Sequence, residues 1–178
     1  SYLSAASNAA FSPGTGDFTI ECYVNLGSTS GNQGFFQNTN STSSAISDKF
    51  WFGYSGGSLV LSAHNGGSGQ ASAAWSPAIG TWYHIAVVRQ SGTIKMFING
   101  VSQTVTGSTT FNGYTLGQAG ASVGLVTTPS YFTGYICDLR YVVGTAVYTS
   151  SFTPPTAPLT AVANTSLLLS MTNGGIFD

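Results

Sequence analysis

The chain has 178 residues, 42% of them hydrophobic and 13% aromatic, enough for one ordinary domain with a real core. Only 5% are charged, with a formal net charge of −1, against roughly 25% charged in an average domain. The bases Lys49, Arg89, Lys95 and Arg140 are too few and too scattered for a phosphate-tracking groove, which argues against nucleic acid as a partner, and no apolar run approaches the ~18 residues of a membrane span.

Short apolar and polar segments are separated by Gly, Ser, Asn and Pro, and no amphipathic helical run of useful length occurs. That pattern predicts an all-β sandwich or barrel. With so few charges the surface must consist of hydroxyls, amides and glycine. Such a surface has little self-repulsion, so a homo-oligomer or contacts with neighbouring subunits are expected partners. No basic stretch followed by an apolar core opens the chain. Its start at Ser1 and end at Asp178 read as a mature product or a module of a longer protein, with 1–178 as one domain.

Residues 2–5 suit a short edge strand and 12–16 a turn. Over 17–26 the apolar Phe18, Ile20, Cys22 and Val24 alternate with Thr19, Glu21 and Tyr23, which predicts a half-buried strand. A short aromatic strand follows at 34–38 and a polar loop at 39–47. Residues 49–54 and 58–64 form a hairpin through Ser55-Gly56-Gly57, and 70–75 another strand. The segments 83–90 and 93–98 make a hairpin turned at Ser91-Gly92. Asn99-Gly100 then suits a two-residue type I′ turn, because both positions tolerate positive φ. From Tyr83 to Val88 both parities are apolar, so both faces must be covered, the second by a loop, a returning segment or another subunit. Short strands are expected at 101–106 and 114–117, a loop at 117–129 and a long strand at 131–143. In that long strand Tyr135, Cys137, Leu139 and Tyr141 share one parity, and Ile136, Asp138, Arg140 and Val142 the other. A proline-containing extended run at 148–159 and a strand at 166–169 close the chain.

Three stretches together resemble the laminin-G-like branch of the concanavalin A-like lectin/glucanase superfamily: Asp17-Phe18-Thr19-Ile20-Glu21-Cys22-Tyr23-Val24, Trp82-Tyr83-His84-Ile85-Ala86-Val87-Val88-Arg89 with Phe97-Ile98-Asn99-Gly100, and Gly134-Tyr135-Ile136-Cys137-Asp138-Leu139-Arg140. The likeness runs through nearly the whole chain. The segments 144–159 and 164–169 look like those of such domains in tailed-phage virion proteins. The resemblance implies an all-β fold, an antiparallel two-sheet β-sandwich of the concanavalin A-like jelly-roll type. It implies that the strands at 17–26 and 131–143 are neighbours and that 166–169 returns beside 2–5. For function it implies a non-enzymatic lectin-like adhesion module of a virion or extracellular appendage that binds cell-surface glycan. The alternatives are a purely structural decoration or assembly subunit of a phage-like particle or filament, and a glycoside hydrolase.

The glucanases of that superfamily carry Glu-x-Asp-x-Glu on the matching strand. Here Asp17 and Glu21 flank Thr19, and four residues of strand separate them by about 13 Å at ~3.3 Å each. A retaining pair needs roughly 5–5.5 Å and an inverting pair roughly 6.5–9.5 Å, so a hydrolytic role is disfavoured. His84 lies inside an apolar strand and reads as a structural histidine. Calcium binding is common in related domains and takes about six oxygens; Asp48, Asp138 and loop amides are the only donors in sight, and no other cofactor is implied. Cys22 and Cys137 share the inward parity on strands expected to be neighbours. They would form either a cross-strand disulfide, if their Cα atoms come within ~7 Å, or two buried thiols. Glycan binding needs a rim aromatic and hydrogen-bonding groups, and the loop or strand-end candidates are Tyr54, His64, Asn65, Trp75, Asn112 and Tyr114.

Overall fold

A computed structural model of the chain describes residues 2–6, 8–38, 49–64, 68–108, 121–127 and 130–170. Among these the strands are β1 (Leu3–Ala5), β2 (Phe18–Leu26), β3 (Gln33–Asn38), β4 (Lys49–Ser55), β5 (Ser58–His64), β6 (Ser68–Ala74), β7 (Trp82–Gln90), β8 (Thr93–Ile98), β9 (Val101–Ser102), β10 (Thr106–Gly107), β11 (Ala121–Val123), β12 (Leu125–Thr127), β13 (Ser130–Tyr131), β14 (Gly134–Val143) and β15 (Thr165–Leu169). A seven-stranded sheet runs in the order β1-β11-β3-β4-β5-β6-β10, and a six-stranded sheet in the order β15-β14-β2-β7-β8-β9. Both are antiparallel, and β12 and β13 form a small separate ribbon.

The two sheets face each other across one aromatic core. Phe18 of β2 stacks on Phe50 of β4 with centroids 5.4 Å apart, and Phe36 of β3 lies 4.9 Å from Tyr141 of β14. Each fully buried side chain of this size contributes about 1.5–3 kcal/mol relative to exposure. The tight turns follow the residue types. Ser91 and Gly92 have φ of 48° and 81°, and Asn99 and Gly100 have 49° and 75°. Two successive positive φ values match the twist of a hairpin.

The neighbours expected from the resemblance are partly right. β2 does pair with β14 along most of its length. β15, however, pairs with β14, while β1 lies on the other sheet against β11, so the last strand does not return beside the first. The expected loop at 117–129 contains β11 and β12, whose three residues each are too short to reveal a period. The expected strand at 101–106 is two short strands, β9 and β10, one in each sheet. The expected strand at 114–117 lies outside the described residues.

The second face of β7 is covered by the chain itself. Residues 144–162, here called the strap, run without regular structure across the outside of the six-stranded sheet. Ala86, Val88 and Phe97 are fully buried there against Ala146, Tyr148 and Phe152. Tyr148 and Phe152 stack with centroids 3.6 Å apart and planes within 5°. Backbone and side chains tie the strap down. Thr19 Oγ1 donates to the Thr145 carbonyl and accepts the Val147 N–H, both at 2.9 Å. Lys95 Nζ donates to the Thr149 carbonyl at 2.7 Å, and the Phe152 N–H to the Gly100 carbonyl at 2.9 Å. As a result β2 is buried on both faces rather than one: Thr19 and Glu21 are as fully enclosed as Phe18 and Ile20.

Candidate functional site

The outer face of β14, β2 and β7 is built of cross-strand rows, because directly paired residues share a face. Arg140, Glu21 and Ala86 form one row, Cys137, Tyr23 and His84 the next, and Tyr135, Asn25 and Trp82 the last. The strap covers the first of these and leaves the last open.

The covered row holds a buried polar cluster. Glu21 is 0% exposed, and its Oε1 accepts from Arg140 Nε at 2.8 Å and also from Nη2. Its Oε2 accepts from His84 Nε2 at 3.0 Å and from the Tyr148 hydroxyl at 2.7 Å. Arg140 Nη1 also donates to the Thr160 carbonyl of the strap at 2.8 Å. Burial pushes the Glu21 carboxyl up, but the hydrogen bonds from His84 and Tyr148 and the Arg140 guanidinium outweigh it, so its pKa is lowered. A carboxylate enclosed and saturated in this way is a structural clamp, with no route to a substrate. Asp17, the other acid of the pair considered from sequence, accepts the Ser91 N–H at 2.7 Å.

The last row lies beside a groove. Tyr23, Trp82, Cys137 and Asp138 form its floor and side, and Pro155, Thr156, Ala157 and Pro158 of the strap form its wall, enclosing about 480 Å³. Trp82 is 47% exposed and Tyr135 44%, with ring centroids 6.4 Å apart across Asn25. Asn25 is held in place by donating Nδ2 to the Gly80 carbonyl at 2.9 Å. Tyr23 donates its hydroxyl to the Pro155 carbonyl, which fixes the strap at the groove's edge. Large aromatics left half-bare beside a cleft, with a few placed polar groups, are the composition of a small-ligand site.

Asp138 owes its position to a β-bulge. Cys137 pairs with Tyr23 and Arg140 with Glu21, so Asp138 and Leu139 together oppose Cys22. Asp138 takes the extra residue's conformation with φ 48°, a region that Asp tolerates better than most residues. Its Oδ1 is buried with no hydrogen-bond partner among the described residues, and burial raises its pKa, opposed by the Leu159 backbone N–H.

The bulge also corrects the cysteine expectation. It switches the parity of β14, so Ile136 and Leu139 both face the core while Cys137 turns outward beside Tyr23. Cys22 faces the core, and both cysteines are free. The disulfide fails because the thiols lie on opposite faces of the sheet. Burial first, then the Asp138 charge, pushes the Cys137 thiol up to about 11.

Of the residues proposed from sequence for glycan contact, Tyr54 and Trp75 are core residues, 6% and 7% exposed, packed edge to face with each other at 5.9 Å. They sit at strand ends in sequence but point between the sheets. The side chain of His64, and all of Asn65, Asn112 and Tyr114, lie outside the described residues, as does Asp48. Among the described residues no group of three or more His, Cys, Asp or Glu could hold a metal ion. Sequence reasoning missed Trp82, Tyr135 and Asn25, and considered Asp138 only as a calcium donor. Trp82 is readable as a strand-initial aromatic on the parity of His84, Ala86 and Val88; the strap that covers those and spares it is not.

The family model of the concanavalin A-like lectin/glucanases superfamily, of laminin G type, matches residues 1–163. No curated protein matches the chain significantly. Solved structures do. Domain 4 of AbnA, an extracellular arabinanase from Geobacillus stearothermophilus in complex with arabinotriose, superposes with a TM-score of 0.57 at 18% identity over 76% of this chain. Mouse laminin α1 domains LG4-5 give 0.56 at 16% identity over 88% of it. The CBM40 of Ruminococcus gnavus IT-sialidase bound to α2,3 sialyllactose gives 0.56 at 13% identity over 74%. The chain spans 63% of the arabinanase domain, 45% of the laminin fragment and 86% of the CBM40 chain.

Proposed function

From its membership of the concanavalin A-like lectin/glucanases superfamily, we propose that this chain is a non-catalytic glycan-binding module working outside the cell, on a virion or an extracellular appendage. The observation that carries this reading is the open row of Trp82, Asn25 and Tyr135 beside the groove under Asp138. A pyranose or furanose presents a C–H face that stacks on an exposed ring and hydroxyls that need fixed acceptors. Two of the similar structures hold saccharides, arabinotriose and sialyllactose, and at 18% and 13% identity the likeness to them is one of fold alone. The non-catalytic part of the reading is supported by the sealed Glu21 clamp. The virion setting is supported only by the resemblance of segments 144–159 and 164–169. The competing reading, a purely structural subunit, keeps the aromatics and the near-neutral surface in its favour but loses the apolar second face of β7 as a subunit contact, because the strap fills it.

A glycan array probed with micromolar protein, calcium present, tests this. Specific saccharides should bind, and Trp82→Ala should weaken them by at least about tenfold. Silence across the array, or release of reducing sugar that Glu21→Gln abolishes, would overturn the reading.

A further inference from the structure

Resting on that reading of the groove, we infer that its ligand is a neutral saccharide whose hydroxyls bind Asp138, and that carboxylated and sulfated glycans are rejected. The reasoning starts from where the chain's cations are. Arg140 is spent on Glu21 and the Thr160 carbonyl. Arg89 is fully buried and donates to the Gly14 and Gly16 carbonyls at 2.6 Å. Lys95 donates to Gln90 at 2.8 Å and to the strap at Thr149. Lys49, the last of the four bases, belongs to β4 on the opposite sheet. Among the described residues that line the groove none is basic, and Asp138 is the only carboxylate. An anionic sugar entering it would be desolvated against a like charge, with nothing to offset the cost.

The same lining suits a neutral hydroxyl donor. Asp138 lines the groove and is only partly buried, so its carboxylate is within a ligand's reach there, while its enclosed Oδ1 has no partner among the described residues. Sugar hydroxyls are donors of the right kind, and a carboxylate can accept from two of them. A compact organic cation would also welcome a carboxylate beside aromatics. The geometry favours the saccharide: Trp82 and Tyr135 lie along one row of a sheet with planes tilted by 40°, a platform rather than a cage. The volume of about 480 Å³ is that of a site for a ligand larger than a single ammonium group.

Isothermal titration at pH 7 tests the inference with three sets of probes: neutral (arabinotriose, cellotriose, mannotriose, lactose), anionic (3′-sialyllactose, trigalacturonate) and cationic (a deacetylated chitotriose). The proteins are the wild type, Trp82→Ala and Asp138→Asn, each checked for folding by thermal unfolding. Asn is chosen because it tolerates the positive φ of this position. At least one neutral probe should bind, and its anionic counterpart should bind at least about tenfold more weakly. Asp138→Asn should weaken the neutral probe by about tenfold to a hundredfold and narrow the gap to the anionic one. Equal or tighter binding of sialyllactose than lactose, preference for chitotriose, or indifference to Asp138→Asn would overturn the ligand class. Binding that survives Trp82→Ala would remove it from this groove while leaving a glycan-binding module. No binding by any probe or on the array would overturn both.

Discussion

Replacing Glu21 with Gln isolates the charge of the buried cluster, since the two side chains have nearly the same shape. In the native protein one carboxylate accepts from Arg140, His84 and Tyr148 while fully enclosed. Gln leaves the Arg140 guanidinium, itself 5% exposed, without its counter-ion. Removing one partner of a buried pair costs about 3–5 kcal/mol. For a chain of this size each kcal/mol moves Tm by about 2–4 °C, so the drop should be roughly 6–20 °C. Urea denaturation at pH 7 should show the midpoint falling with the slope unchanged. The pH dependence gives a second readout. The folded pKa of Glu21 is depressed below its ordinary value of 4.5. Its contribution is therefore complete above that ordinary value and is lost as pH falls through the folded pKa. The stability difference between wild type and Glu21→Gln should be constant near neutrality and shrink below about pH 4.5. A difference under about 1 kcal/mol at pH 7, or one that grows on acidification, would refute the clamp.

Two further outcomes follow from the strap and the bulge. Gly100→Ala places a methyl group at φ 75° and into the carbonyl oxygen of Phe152, so the strap must move; a loss of about 2–4 kcal/mol and faster proteolysis within 145–160 are expected, measured by urea denaturation and limited digestion. Cys137, with its pKa near 11, should react with iodoacetamide about tenfold faster for each pH unit between 8 and 10, while Cys22 stays unlabelled until the protein unfolds, as read by peptide mass spectrometry.

Much of the framework was readable beforehand because β structure announces itself through period two and turn chemistry. β2, the β7–β8 hairpin and the Asn99-Gly100 turn lie where alternation and glycine put them. The two-sided apolarity of β7 correctly demanded a second cover. What could not be read was its identity, because the strap is irregular, rich in proline and without a period. The same gap hid how far the clamp is enclosed: Arg140 and Glu21, 119 residues apart, are readable as partners on the polar parities of their strands, but the cover that buries them is not. The bulge at Asp138 defeated the parity argument for Cys137, since one inserted residue puts the side chains before it and after it out of step with each other. The groove depends on both features, so its residues stayed invisible while core residues such as Trp75 were mistaken for a rim.

The strap also sets the order in which this chain can fold. Glu21 emerges from the ribosome early and meets His84 after 63 more residues, but Arg140 and Tyr148 follow only after 119 and 127. Until then the carboxylate, Ala86, Val88 and Phe97 face water, and the nascent six-stranded sheet presents an apolar outer surface. That face can close only once the C-terminal part of the chain is present, and contacts this non-local belong to the slow, aggregation-exposed regime for β proteins. Any fragment ending before residue 146 would lack Ala146, Tyr148 and Phe152 and leave that face bare, so the strap shields the sheet it covers.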